Sequence, residues 1–306
     1  MDNMKIAFII LAYKNPRQLR WLIESLNHEN HFFFIHVDQR QNIQPFEKEL
    51  NLMNGINWTF TERYNSFWGS YSCVKAVIEA MKMAKEKLDF DYYIHLSGQD
   101  FPVVTPNELQ RKLAEVHPAS YFFNFPFNEG KWDNKGKDRL ETIHFFRNST
   151  RVAITKKTKN PLYAFLHLLW RKAVVEGFDQ KQTYYGCEFY FMFHKDALER
   201  LLENQRKFRL LHYRLTFTVI PEEVYISTML MAGKENDKIK IMNDTGRYIK
   251  WDPVGSSPKT LDEKDFDAIS QGEYLFARKF DFEGNEIFLK TLSNFIQINS
   301  NQKNRI

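Results

Sequence analysis

Short apolar runs that each stop at a polar residue, with helical stripes between them, constrain this chain more than any other feature of its sequence. Lys5–Ala12 is continuously apolar after its first residue, His31–Val37 (HFFFIHV) ends at Asp38, Trp58–Thr61 is a third run, and Tyr92–Leu96 ends in Ser97-Gly98-Gln99-Asp100-Phe101-Pro102. Continuous runs of this length are the pattern of strands buried on both faces. Between them, Asn15-Pro16-Arg17 reads as a cap with Pro in the first turn, followed by Leu19, Leu22, Ile23 and Leu26 at helical spacing. Ser70–Lys87 carries Val74, Ala76, Val77, Ala80, Met81 and Ala84 on one stripe, and Thr105-Pro106-Asn107-Glu108 caps a helix bearing Leu109, Leu113 and Ala114. Strands alternating with helices in this way imply βαβ units, an α/β class and a mostly parallel central sheet with flanking helices. Ligands of such sheets bind beyond the carboxyl ends of the strands, which singles out Leu11–Tyr13, Asp38 and Ser97–Asp100.

The rest of the chain is less regular. From about residue 125 to 180 the pattern loosens into a polar, basic stretch. Tyr184–Phe193 then reads as an aromatic strand, His194–Leu202 as a helix, and Pro221-Glu222-Glu223 as the opening of a short helix through Leu230. A strand at Ile239–Met242, the stretch Arg247–Trp251, a loop Gly255-Ser256-Ser257-Pro258, helical Asp262–Ser270, the segment Leu275–Asp281 and a final helix near Ile287–Ile296 complete the order. No repeat and no Gly/Ser/Pro-rich linker divides the chain, so a single domain is expected over 1–306.

Two cysteines, Cys73 and Cys187, allow one bridge at most and exclude a disulfide scaffold. The first apolar run stops at Tyr13-Lys14-Asn15-Pro16, too early for a signal peptide, and no stretch approaches the roughly 20 apolar residues of a spanning helix. A cytoplasmic protein is therefore expected. One segment has the makings of a peripheral contact with the inner membrane face: Pro161–Lys172 is aromatic and amphipathic, with Lys156, Lys157 and Lys159 just upstream. The alternative for this helix is packing on its own domain or lining an acceptor cleft.

Several chemistries lack their signatures. Neither G-x-G-x-x-G nor a P-loop is present, nor G-x-S-x-G, nor H-E-x-x-H, and the nine His and two Cys show no zinc spacing. His36 and His95 read as core or strand-end histidines. Asp89-Phe90-Asp91 has the D-x-D form that can hold a divalent metal, but it precedes its strand and so belongs at the wrong end of the sheet, and Asp281-Phe282-Glu283 reads as a solvated turn. No metal site is expected. Arg278-Lys279, between Phe276 and Phe280, is an unusual cation pair in an apolar run: either paired cations on an edge strand or a diphosphate clamp that supplies the neutralisation often given to Mg²⁺.

Taken in chain order, Arg17-Gln18-Leu19, Ile35-His36-Val37-Asp38, Trp68-Gly69, Leu96-Ser97 with Asp100-Phe101-Pro102, Asp138-Arg139-Leu140, Gly186-x-Glu188-Phe189, Pro221-x-Glu223, Arg247-x-Ile249-x-Trp251, Ser257-Pro258 and Phe276-Ala277-Arg278-Lys279-Phe280 form a specific combination. Over roughly residues 5 to 283 it closely resembles the peptide O-xylosyltransferase and core-2/I-branching β-1,6-N-acetylglucosaminyltransferase family, glycosyltransferase family 14. The resemblance implies a GT-A-like, Rossmann-type nucleotide-sugar transferase fold, with a nucleotide-binding half (1–124) and an acceptor and catalytic half carrying a C-terminal extension (125–306). It implies inverting, metal-independent use of a UDP-sugar, with no cofactor, and a glycan or lipid-linked glycan acceptor. Carried onto this chain, Glu223 is the catalytic base, and Arg278 and Lys279 hold the diphosphate with Arg247 assisting. Asp38 sits by the uridine, and Ser66, Phe67 and Trp68 line the nucleotide. Leu11 is a first-strand nucleotide contact and Ser257 a diphosphate-side contact. Glu188-Phe189 stands where the xylosyltransferases place an Asp-Trp pair against the donor sugar, so the donor stays open between UDP-xylose and a UDP-N-acetylhexosamine or UDP-hexose. Asp100 is a further candidate, and Glu222 is the competing base. The missing signal anchor and disulfides of the animal relatives suggest a bacterial-type member acting in surface-polysaccharide synthesis. Two other classes stay in view: a catalytically inactive sugar-nucleotide-binding or scaffolding protein, and a basic nucleic-acid-binding protein, suggested by the net charge of +5.

Overall fold

The computed structural model describes residues 4–129, 132, 136–147, 150–155, 157–170, 183–233, 239–252 and 257–303. Lys156, Arg171, Lys172, Gly255 and Ser256, singled out above, lie outside the described residues. The first half runs β1 (Ile6–Ala12), α1 (Pro16–Ser25), β2 (His31–Val37), α2 (Gln44–Leu50), β3 (Asn57–Phe60), α3 (Tyr71–Lys87), β4 (Tyr92–Ser97), β5 (Asp100–Pro102), α4 (Pro106–Val116) and β6 (Ser120–Pro126). An insertion follows, made of α5 (Lys137–Glu141), a hairpin of β7 (Ile143–Arg147) and β8 (Thr150–Ile154), and α6 (Pro161–Trp170). Then come β9 (Tyr185–His194), α7 (Lys195–Lys207), α8 (Arg209–Thr216), a 3-10 turn at Pro221–Glu223, α9 (Tyr225–Leu230), β10 (Ile241–Met242), β11 (Arg247–Ile249), α10 (Phe266–Gln271), β12 (Phe276–Arg278) and α11 (Phe282–Lys303).

The main sheet has seven strands in the order β10-β6-β9-β4-β1-β2-β3. All its pairings are parallel except those of β9, which runs antiparallel to both β4 and β6. The apolar runs became strands because both faces are covered. One face packs Leu19, Leu22 and Ile23 of α1 and Leu109 and Leu113 of α4 against Phe8, Ile10, Ile35 and Ile94. The other packs Val74, Val77 and Met81 of α3 with Leu198, Leu201 and Met229 against Ile9, Phe34 and Tyr93. The chain leaves β1 toward β2 on one side and returns as β4 on the other, so the strand order reverses there and opens a crevice at the carboxyl ends.

A second sheet roofs that crevice. Its order is β11-β12-β5, with Arg278 directly opposite Asp100 and Ala277 opposite Phe101. Gln18, buried beneath it, holds the two sheets in register: its Nε2 donates to the carbonyls of Gly98 (3.0 Å) and Phe280 (3.2 Å), and its Oε1 accepts from the Phe282 N–H (2.7 Å).

Some sequence expectations are revised here. Asn15 does not cap α1; it adopts φ 52 in the left-handed region, which Asn tolerates better than most residues, and its Nδ2 donates to Asp281 instead. Asp281 is accordingly no solvated turn, since Lys14 also pairs with it at 2.7 Å. The stretch 125–180 holds the end of β6, the hairpin and two helices, and the expected strand at Ile239–Met242 shortens to Ile241–Met242. Thr105 does cap α4, accepting from the Glu108 N–H.

Gln18→Leu removes the bonds to the buried Gly98 carbonyl and Phe282 N–H, while the Phe280 carbonyl keeps its bond from Gln99 Nε2 at 3.2 Å. Each unpaired group costs about 1–3 kcal/mol, so the variant is expected to unfold at distinctly lower denaturant concentration than wild type. Equal midpoints for wild type and Gln18→Leu would refute this role.

Candidate active site

Three clusters meet at the carboxyl ends of β1, β2 and β4. The first surrounds Asp38, which follows β2 and is almost wholly buried. Arg40 chelates it, Nε to Oδ1 at 2.9 Å and Nη2 to Oδ2 at 2.7 Å. Burial alone would push this carboxyl up, but the bonds from Arg40 outweigh it and hold it below the usual carboxylate range. Arg40 also donates to the Ser66 carbonyl and lies 4.3 Å over the Phe67 ring, which stacks in turn on Phe146. Asp38, Ser66 and Phe67 are thereby one unit. Trp68, next in sequence, is 62% exposed at its rim.

The second cluster is cationic. Arg247 and Arg278 project from neighbouring strands of the roof over Tyr190, at 4.9 and 4.2 Å from its ring. Arg247 Nε lies 3.5 Å from Asp100, both side chains being fully buried, and its guanidinium also donates to the carbonyls of His95 and Thr245. Arg278 is 8% exposed, yet its Nε and Nη1 have no hydrogen-bond partner among the described residues. Burial pushes the half-buried Lys279 ammonium down, and the charges of Lys14 and Arg278 push it further the same way. Burial raises the Glu188 carboxyl, against the pull of Arg247 and Arg278. His95, wholly enclosed, is lowered to about 3 by burial and by Arg247, and so is neutral.

The third cluster holds the two glutamates of the 3-10 turn, and they point apart as adjacent residues do. Glu222 is buried and accepts from the Gly69 N–H at 2.8 Å, tying the Trp68-Gly69 turn to Pro221. Burial raises its carboxyl to about 7. Glu223 remains partly open and pairs with Arg139 Nη1 at 2.7 Å, while Arg139 itself lies 3.8 Å over the Trp132 ring. Burial raises Glu223 too, and Arg139 draws it back. Of the two, only Glu223 is placed to receive a proton from outside the core.

The expected residues therefore divide. Asp100, Glu188, Arg247, Arg278 and Lys279 come together; Asp38, Ser66 and Phe67 come together; and Leu11 lies between them, in register with Ser97 on one side and His36 on the other. Phe189 departs from expectation. Successive residues of a strand face opposite ways, so Glu188 joins the arginines while Phe189 packs with Cys187 and Phe191 against the core. Ser257 is exposed beside the Trp251–Pro258 bridge, outside all three clusters. Asp89 and Asp91 lie at the other end of β4, where Asp91 accepts from the Lys5 N–H and Asp89 pairs with Lys195. Among the described residues no group of three or more His, Cys, Asp or Glu is placed to hold a metal. Arg40, Arg139 and Tyr190 were not anticipated as site residues. Arg139 stood in the Asp-Arg-Leu motif, and Arg40 two residues after Asp38, but their partners are set by the fold.

The family model for the Core-2/I-branching enzyme matches residues 6–272. Xylosyltransferase sqv-6 of Caenorhabditis elegans is 30% identical over 141 residues, 44% of this chain and 17% of that protein. Xylosyltransferase 1 of Rattus norvegicus is 24% identical over 329 residues, 96% of this chain and 36% of that protein. The chain thus spans about a sixth to a third of the length of these curated relatives. Among solved structures, 4-diphosphocytidyl-2C-methyl-D-erythritol synthase of Anaerococcus prevotii aligns with 88% of this chain at 11% identity and a TM-score of 0.39, a distant likeness.

The Glu222 carboxyl gives a pH test. Its folded pKa lies above the ordinary 4.5, at about 7, so the folded state binds the extra proton and stability falls as pH rises through that window. Glu222→Gln keeps an acceptor for Gly69 and has no proton to lose. Its melting temperature is therefore expected to fall less than that of wild type between those pH values; parallel curves would exclude the linkage.

Proposed function

The chain belongs to the Core-2/I-branching enzyme family, a family of glycosyltransferases, and we propose that it transfers a sugar from a UDP-sugar to a hydroxyl of a glycan acceptor, with inversion and without a divalent metal. The observation that carries this is Arg278. A guanidinium this deeply buried, with two nitrogens that have no hydrogen-bond partner among the described residues and with Arg247 and Lys279 beside it, suits an anion. Charge-assisted contacts of this kind contribute about 1.5–3 kcal/mol each, enough for three cations to neutralise a departing diphosphate.

The acceptor oxygen attacks the anomeric carbon while the bond from that carbon to the β-phosphate oxygen breaks. UDP leaves with the electron pair, and the hydroxyl proton passes to Glu223. Asp38, fixed by Arg40, addresses the uridine, with Leu11, Ser66, Phe67 and Trp68 around it, while Ser257, exposed and outside the clusters, takes no part in this reading. Glu188 reaches the donor sugar. It is one methylene longer than an aspartate, which suits UDP-xylose or a UDP-N-acetylhexosamine or UDP-hexose according to how the pocket is filled. The product is a β-glycoside, and a surface-polysaccharide intermediate, lipid-linked or free, is the acceptor class this reading favours.

Transfer from a panel of UDP-sugars, measured with chelator present, tests the reading. Glu223→Gln is expected to lower kcat by about 10²–10⁴-fold with donor affinity retained, and Glu222→Gln to leave most of the activity. The reverse pattern would move the base to Glu222, and activity restored only by Mn²⁺ would overturn metal independence. Arg139 lowers the Glu223 pKa, so Arg139→Met raises it and leaves the base protonated over a wider range. The acidic limb of the kcat/KM profile is expected to move to higher pH in that variant, and an unmoved limb would separate Glu223 from the proton transfer.

A further inference from the structure

Helix α6 is turned inside out. A helix on a soluble domain presents its apolar stripe to the core. Here Tyr163, His167 and Trp170 form the inward stripe, with His167 donating to the Glu141 carbonyl at 2.9 Å, while Leu162, Phe165, Leu166 and Leu169 form an exposed stripe on the other side, extended by Leu168. Its neighbour α8 meets it at Trp170, whose ring receives the Arg214 guanidinium at 5.4 Å and Phe217 at 5.8 Å, and α8 likewise leaves Leu210 and Tyr213 exposed. An outward apolar surface of this extent marks an interaction site.

Charge identifies the occupant. Residues 142–175 contain seven Lys and Arg and no Asp or Glu, and residues 204–221 contain four and none. Eleven of the 43 basic residues thus fall in two stretches that hold none of the 38 acidic ones, so the rest of the chain is net acidic. Lys157 and Lys159 just before α6, and Arg206, Lys207 and Arg209 at the junction of α7 and α8, are all exposed. With 10 residues, α6 is about 15 Å long, too short to cross a hydrocarbon layer of about 30 Å, and among the described residues no helix is long and apolar enough to do so.

We infer that α6 and α8 form an interfacial docking surface for an anionic lipid bilayer, with the apolar stripe in the headgroup–acyl boundary and the cations on the lipid phosphates. The surface is joined to the reaction centre. The Glu141 carbonyl that holds His167 belongs to α5, which also supplies Arg139 to Glu223. One turn of α5 thus links the inward side of α6 to the residue paired with the proposed base, the arrangement a lipid-linked acceptor would need.

Sedimentation of the purified full chain with phosphatidylcholine vesicles, with and without phosphatidylglycerol, and with no sugar nucleotide present, tests this independently of the transferase reading. Binding is expected only to the anionic vesicles and to weaken with salt. Phe165→Ser/Leu169→Ser and Lys157→Glu/Lys159→Glu are each expected to reduce it about tenfold or more, with unchanged melting temperature because all four side chains are exposed. Equal binding to both vesicle types, or variants that sediment like wild type, would overturn the inference. So would a wild-type dimer that Phe165→Ser/Leu169→Ser converts to monomer without altering vesicle binding, since the face would then belong to a second copy of the chain.

Discussion

Asp100 is wholly withdrawn from water, and the roof of the cleft is built around what a carboxylate in that position must be paired with. Its Oδ2 accepts from the Ser97 N–H and hydroxyl, its Oδ1 faces Arg247, and Arg278 stands opposite it across the β5–β12 pairing. A buried charge robbed of its partner costs several kcal/mol, so Asp100 stabilises Arg247 directly and favours the neighbouring Arg278 through its charge. One carboxylate, however, does not balance two guanidiniums and a neighbouring lysine. Glu188, whose own ionisation is opposed by burial, makes up part of the difference. That imbalance leaves a net positive cluster, and the proposed diphosphate site rests on it. Asp100 is thus placed as the counter-ion of Arg247, beside the cations proposed to hold the diphosphate.

The cleft is assembled by side chains that reach across long stretches of chain. Gln18 fastens the segment after Arg278 and Lys279 to the loop after β4. Asp281 fastens the same segment to Lys14 and Asn15 at the end of β1. Glu222 fastens the turn of the proposed base to Gly69, whose φ of 76 is readily adopted only by glycine. In each case a polar group, fully buried for Gln18 and Glu222 and partly so for Asp281, is satisfied by a backbone, polar or charged partner from another element. This makes the arrangement rigid at the cost of depending on each tether.

How much of this was legible beforehand follows from how local each signal is. The runs at 6–12, 31–37 and 92–96 were readable because strands covered on both faces need no alternation, and their ends located Asp38 and Ser97–Asp100. Thr105 was readable as a cap because the bond it makes spans three residues. Strand β6 and the β7–β8 hairpin were not, since their aromatic and polar residues follow neither a clear helical nor a clear alternating period. Asn15 was misleading: the residue type suits a cap, but its side chain is taken by Asp281, a partner 266 residues away. The pairs Arg139–Glu223 and Asp100–Arg247, and the Tyr190 ring beneath both arginines, are products of the fold. The outward stripe of α6 is the same kind of case, because periodicity shows that a helix has an apolar side but not which way that side faces.

The account turns on whether these cations hold a diphosphate unaided. Calorimetric titration of UDP and of uridine, in chelator, into wild type, Lys279→Ala and Arg278→Met measures this directly. Wild type is expected to bind UDP without metal, and both variants to lose about tenfold or more for UDP while uridine affinity barely changes. Equal losses for the two ligands, or UDP binding that appears only when a divalent metal is added, would contradict it.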